Sequence, residues 1–312
     1  MRKKISMALY DSDGCMVPLA NYLCKKKQEV VETRLFTNLS LLKEHVRSGQ
    51  TDVLLALEEE SDELYGLQSF VPKIILLTEG NMVGEQSSFN MVFRYQSAEE
   101  VVREILEEVA EDDRIVYGGT LTANRQSEVI SGYSPFGGAG LSTFLTGLAE
   151  ELAENYRTLY VSLEEFHGLE NVTLEKKGQS GNYRGMSEAI FYLQQKKEKL
   201  ALKLDSLIYE GKRAEYLLAV ENYRDLHQMK RENIICFFQT LCNETSYEKI
   251  VFDVGYLGEA GEYVLEHSDK IYMPIPKTKA QEMKHVACQQ GWQRQGCAEI
   301  LQKVYQVAMG GE

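Results

Sequence analysis

Short apolar runs alternate with amphipathic stretches along the first 110 residues. Apolar and β-branched runs predict strands over 4–9, 30–36, 52–57, 73–78 and 90–95. Helical spacing of apolar positions predicts helices over 18–27, 39–48, 61–70 and 98–109. Strands that alternate with helices in this way imply a parallel sheet covered on both faces. The alternation stops at a charge run, Glu111-Asp112-Asp113-Arg114, and a small polar stretch, Gly118 to Asn124. That change in pattern puts a first domain at 1–110 and a linker at 111–126, with a second domain over 127–312.

The second half opens on a short apolar strand at 128–131. A glycine-rich turn follows, and then Leu141, Phe144, Leu145, Leu148, Ala149, Leu152, Ala153 and Tyr156 fall on one face of a helix of about four turns. Beyond it the pattern predicts a strand at 158–162, a loop at 168–182 and a helix at 185–195. A long polar section then runs to 226, with a short strand at 216–220. A helix at 231–241 precedes two more strands, 247–255 and 269–276, and the chain closes on a helix near 298–308. The whole reads as α/β, two parallel-sheet domains in series.

The chemistry concentrates where strand turns into helix, in Tyr133-Ser-Pro-Phe-Gly-Gly-Ala-Gly-Leu-Ser-Thr143. A glycine turn lets backbone N–H groups crowd round a phosphate, and the following helix N-terminus adds partial positive charge. A Walker A loop ends Gly-Lys-[Ser/Thr], but here Leu141 stands between Gly140 and Ser142. The same layout also serves a plain strand-to-helix turn with no ligand. About 110 residues on, the apolar strand 247–255 carries Asp253 near its end, the arrangement of a Walker B carboxylate that holds Mg²⁺.

Composition narrows the setting. The 312 residues are 44% hydrophobic and 26% charged, as in ordinary globular proteins. No apolar run approaches the ~20 residues that span a bilayer, and no signal-peptide core follows the basic start, so the chain reads as cytoplasmic. Six cysteines without CxxC spacing read as reduced packing thiols rather than a zinc site. A formal charge of −13 disfavours nucleic acid as a partner, the best basic patch being 196–203, a mixed helical face that reads as solvated. Lys303 and Glu299 give the C-terminal helix no basic face for membrane insertion.

The loop resembles the deviant Walker A of the MinD/ParA superfamily, Lys-Gly-Gly-x-Gly-Lys-[Ser/Thr]-Thr. Phe136 and Leu141 occupy the two lysine positions. The resemblance implies a P-loop fold over 127–312. It also implies an ATP site at Phe136, Gly137, Gly138, Ala139, Gly140, Leu141, Ser142, Thr143, Pro274 and Pro276, with Ser142 and Asp253 on Mg²⁺. The family's Asp-x-Asp falls on Ser162 and Glu164, which leaves Glu164 as the candidate for a magnesium or water contact, beside the plainer reading of an exposed carboxylate.

Residues 1–110 resemble a flavodoxin-like receiver domain whose phospho-acceptor is missing: Glu58 follows the third strand, and Arg94 and Tyr95 replace the lysine of the fifth. Asp11, Asp13 and Thr78 fit the receiver pattern loosely, the first two reading as a solvated turn. A pseudo-receiver followed by a Tyr-Ser-Pro-x-Gly-Gly-x-Gly loop resembles the TadZ/CpaE localisation proteins of the Tad (Flp) pilus. That resemblance implies a cytoplasmic, polar homodimer that recruits a secretion ATPase, with ATP as a ligand; the loss of both lysine contacts predicts that ATP is held weakly or structurally and hydrolysed little or not at all. The alternative is a slow, genuine MinD/ParA-type ATPase switch for positioning or partitioning.

Overall fold

The computed structural model describes residues 4–80, 89–118, 127–166, 185–195 and 198–309. The predicted loop 168–182 and half of the linker (119–126) lie outside them. The chain forms two compact units, Met1–Leu121 with Ala201–Ser206, and Thr122–Leu200 with Leu207–Glu312.

In the first unit, β1 (Ile5–Tyr10), β2 (Val31–Phe36), β3 (Val53–Leu57), β4 (Lys73–Thr78) and β5 (Asn90–Phe93) form one parallel sheet in the order β2-β1-β3-β4-β5. That is the flavodoxin-like order. Every residue of β3 is buried, as expected for a central parallel strand covered on both faces. Helix α1 (Val17–Lys26) and helix α2 (Leu39–Arg47) follow the first two strands, and the Asn38 side chain caps α2 by accepting from Ser40 N and Leu41 N. The helix predicted over 61–70 is broken: one α-helical turn, α3 (Ser61–Leu64), lies between two 3₁₀ turns. Helix α4 (Ala98–Ala110) opens with a Ser97/Glu100 capping box.

Asp11 corrects one expectation. It is fully buried, and its carboxylate accepts from the backbone N–H groups of Asp13 (3.1 Å), Gly14 (2.9 Å) and Met16. The side chain is therefore engaged in building the turn that leads into α1, and is not solvated. Glu58 and Thr78 are joined by a hydrogen bond, while Arg94 pairs with Glu79 and stacks over Tyr95.

The polar section before 226 hides a helix, Leu200–Leu207, whose middle belongs to the first unit. Leu202 is fully buried in that unit's core, and Lys203, 4% exposed, bonds Glu107 at 2.8 Å. The solvated basic face expected at 196–203 is thus corrected at Lys203, while 196–197 lie outside the described residues. Lys27 and Asp205 form a second buried pair at 3.0 Å, with side chains 5% and 9% exposed.

The second unit holds a seven-stranded sheet. Its strands are β6 (Glu128–Tyr133), β7 (Thr158–Leu163), β8 (Tyr209–Glu210), β9 (Glu215–Leu217), β10 (Lys249–Val254), β11 (Lys270–Pro274) and β12 (Val304–Val307), in the order β12-β11-β6-β10-β7-β9-β8. All neighbours are parallel except β8 with β9. The chain runs outward from β6 to β7, returns to β10, then crosses to β11 on the far side of β6. Connections that part in this way open a crevice at the carboxyl ends of the strands. Helix α5 (Leu141–Leu152) leaves β6 there and buries Leu141, Leu145 and Ala149 against Ile130, Tyr160 and Val251.

The C-terminal helix near 298–308 is also corrected. Only Ala298–Gln302 is helical, and Val304–Val307 pairs with β11. Val304, Tyr305 and Val307 favour a strand, and the open edge of β11 supplies its backbone partners. The longest helix among the described residues, Lys279–Arg294, was not expected.

The Lys27–Asp205 pair yields a test. Removing one partner leaves a buried charge uncompensated, so Asp205→Ala should destabilise the first unit by about 3–5 kcal/mol in urea melts. Lys27→Met combined with Asp205→Leu should recover most of that loss.

Candidate functional site

The turn after β6 is shaped by its own side chains. Phe136 N donates to Ser134 Oγ at 3.3 Å, tightening the start of the loop. Gly138 and Gly140 adopt φ of +70° and +80°, values that L side chains rarely take. Gly140 is also the N-cap of α5, and no side chain caps that helix. The first N–H groups of α5 are left for a ligand or water.

The loop forms one wall of a cavity of about 620 Å³. Phe136, Gly137, Gly138, Ala139, Gly140, Leu141, Ser142 and Thr143 all line it, as do Ser162 and Glu164 from the end of β7 and Asp253 and Gly255 from the end of β10. The structure thus brings together eight of the ten residues assigned to nucleotide, both residues assigned to the metal, and Glu164. Pro274, the last residue of β11, and Pro276 do not line the cavity.

Leu141 and Phe136 are 7% and 5% exposed, so both positions that the resemblance gives to lysine hold packed apolar groups. Among the described residues that line the cavity there is no Lys, Arg or His. Lys277 donates to Met309 O at 3.1 Å, and Met309 packs in the same apolar cluster as Leu141, but Lys277 does not reach the cavity wall.

Asp253 is 1% exposed. Its Oδ2 accepts from the Tyr160 hydroxyl at 2.6 Å, and the Ser142 hydroxyl acts on the carboxylate as a second donor that lowers its pKa. Burial lifts its pKa above the usual carboxylate value, against the pull of those two donors. Tyr160 is in turn held well above its ordinary pKa, first by burial and then by Asp253. Thr146 Oγ1 donates to Ser142 O at 2.7 Å and ties the first turn of α5 together.

Glu164 is half-buried, not the exposed carboxylate of the plainer reading. Burial, then the charges of Asp253 and Glu165, raise its pKa to about 7. Tyr160 is the residue that sequence reading missed. The signal was available, because 160, 162 and 164 alternate onto one face of β7.

The donor set fits a divalent cation of the kind that keeps its waters and shares ligand phosphates, since one hydroxyl and one carboxylate converge. Among the described residues no three His, Cys, Asp or Glu side chains are grouped to hold a metal alone. The loop's N–H groups fit a phosphate, without the side-chain cations that usually accompany one.

No protein-family model matches the chain, and no curated protein matches it. Among solved structures it is similar to a ParA family ATPase from Chlorobium tepidum TLS (TM-score 0.47, 13% identity, covering 59% of this chain and 73% of that one). It is also similar to a plasmid partition protein from Borrelia burgdorferi B31 bound to AMPPNP (TM-score 0.46, 18% identity, 60% and 76%). A third similar structure is the cell division ATPase MinD of Pyrococcus furiosus (TM-score 0.40, 12% identity, 55% and 69%). Among the described residues no helix is long and apolar enough to cross a membrane.

The raised Glu164 pKa fixes a pH dependence. The folded chain keeps this proton up to about pH 7, whereas an ordinary glutamate loses it near 4.5. Folding therefore loses stability as pH rises from 4.5 through 7, and the penalty is complete above that. Glu164→Gln should stabilise the protein by on the order of 2 kcal/mol at pH 8.5, discounted for partial exposure, and by almost nothing at pH 4.5. Denaturant midpoints at the two pH values measure it.

Proposed function

We propose that the second unit binds Mg²⁺-nucleotide weakly, as a structural ligand, and hydrolyses it little or not at all. The observation that carries this reading is the cavity itself: a glycine loop and an uncapped helix N-terminus face Ser142 and Asp253, with no cationic side chain among the described lining residues. The N–H groups of Gly137 to Thr143 would hold the phosphates, while Ser142 and Asp253 would hold the metal. Mg²⁺ would supply the positive charge that Phe136 and Leu141 do not. Transfer of a phosphoryl group is promoted mainly by preorganised positive charge on the equatorial oxygens. A wall without lysine or arginine supplies little of it, so the site favours occupancy over turnover.

At the level of the whole chain we read a TadZ/CpaE-like localisation scaffold of a Tad (Flp) pilus or tight-adherence secretion system. The support is the Tyr133–Thr143 loop sequence, preceded by a unit with the β2-β1-β3-β4-β5 order and no aspartate after β3. Residues 1–110 would serve as a pseudo-receiver docking domain, joined through 111–126 to the P-loop domain at 127–312. In that unit Asp11 holds backbone N–H groups, and Glu58 is bonded to Thr78. The partners on this reading are a second copy and the secretion ATPase, on the cytoplasmic side of the membrane.

Calorimetry with Mg²⁺-ATP tests the nucleotide reading. Saturable binding is expected, and Ser142→Ala and Asp253→Asn should each weaken it at least tenfold, about 1.4 kcal/mol. No binding at millimolar ATP would show that the loop holds no nucleotide. The same protein should co-elute with a purified Tad secretion ATPase; separate elution at micromolar concentrations would contradict the pilus assignment.

A further inference from the structure

The seven-stranded sheet ends on two edges that differ in kind. On one side β8 is two residues long and carries Glu210, and a short, charged edge resists pairing with another chain. On the other side β12, Val304-Tyr305-Gln306-Val307, holds neither proline nor charge. Among the described residues β11 is its one neighbour. The Ile271 N–H donates to Lys303 O at 2.9 Å and the Ile275 N–H to Val307 O at 3.0 Å. Residues 303, 305 and 307 therefore turn their backbone groups to β11. Val304 and Gln306, in the alternate places, turn theirs to the open edge.

The side chains lead to the same edge. On one face Phe144 of α5 meets Tyr272 at 5.3 Å between ring centroids, and Tyr272 meets Tyr305 at 6.0 Å. This ladder of rings crosses β11 and stops at the edge on Tyr305, which is 51% exposed. Gln306 faces the other way, where its amide nitrogen lies 3.2 Å from His285 Nε2 on the helix Lys279–Arg294. Met283 and Val286 of that helix are exposed as well.

We propose that β12 pairs antiparallel with β12 of a second copy, about a two-fold axis at Tyr305, and so joins the two sheets into one. The strand is complementary to itself in that register. Val304 stands opposite Gln306, so the outward N–H and C=O groups of both find partners across the axis. Lys303 stands opposite Val307, so no like charges meet. Tyr305 stands opposite its own copy as a non-hydrogen-bonded pair, with Cα atoms roughly 4.5 Å apart and the rings in contact. A slip of one residue would set Tyr305 against Gln306 on the wrong face, which the pleat forbids. No residue of β12 lines the cavity, so the inference stands apart from the nucleotide reading. It rests on the whole-chain reading only in that both require a second copy.

Sedimentation of the full chain at micromolar concentration tests it, with two variants at one position. The wild type should be a dimer. Tyr305→Lys sets like charges opposite each other and should raise the dimer dissociation constant by about tenfold or more. Its urea midpoint should stay near the wild type, because the ring it replaces is half exposed. Tyr305→Cys is an independent readout. Mild oxidation should join two chains, since roughly 4.5 Å between Cα atoms lies within the span of a disulfide. Peptide mapping should place the bond between the two introduced thiols. Wild-type protein under the same oxidant controls for Cys15, Cys24 and Cys236, which are exposed. A wild-type dimer that Tyr305→Lys does not weaken, or a Tyr305→Cys dimer without a disulfide at 305, overturns the inference and leaves the second copy to another face. A wild-type chain that sediments as a monomer throughout overturns both the inference and the second copy.

Discussion

The buried carboxylate of Asp253 is the constraint on which the ligand face of the second unit depends. A nearly inaccessible acid at the centre of a parallel sheet is costly unless its oxygens are satisfied. Tyr160 from β7 and Ser142 from α5 satisfy them. The Tyr160 bond joins β7 to β10, and Ser142 brings the first turn of α5 to the same carboxylate. Tyr160 thus links the core to the cavity, since its ring packs with the apolar cluster beneath α5 while its hydroxyl reaches the acid.

Around that anchor the wall carries charge of one sign. Leu141 and Phe136 turn inward and contribute to packing where charged side chains would serve a phosphate. Burial and then the charge of Asp253 hold the Glu164 pKa above the usual carboxylate value. Backbone dipoles and a metal can hold an anion under these conditions, but the same wall offers little to a transition state in which charge spreads over the transferred group. Binding and turnover are therefore separable in this fold, and the side chains present favour the former.

Much of this was legible in the sequence because local pattern and tertiary role coincide. The central strands of both sheets are short apolar runs between turn signals, and the stripe from Leu141 to Tyr156 announces α5. Where the two part, the reading failed. The helix Lys279–Arg294 buries only His285 and Trp292, so it has almost no apolar face to read. Ile300, Leu301, Val304 and Val307 fit a helical stripe, yet the free edge of β11 takes the last of them into a strand. Lys203 looks solvated because its partner, Glu107, lies 96 residues away, and nothing local marks Asp205 for Lys27, 178 residues away. Asp11 looks like a surface acid because its three N–H donors are backbone atoms, which composition does not reveal. In the site, the loop and Asp253 line one cavity, and both stand out in the sequence as a glycine turn and an acid at the end of an apolar run. Tyr160 was passed over because an aromatic in a strand reads as packing alone.

Phosphate release from ATP by the purified full chain, in Mg²⁺ and at nucleotide concentrations that saturate binding, tests the central claim most directly. The account predicts no release above that of a matched Asp253→Asn preparation, because the described lining residues carry no cation to promote transfer. Steady turnover that depends on Asp253 and persists through repeated purification would contradict it, and would mean that a cation outside the described lining residues completes the site.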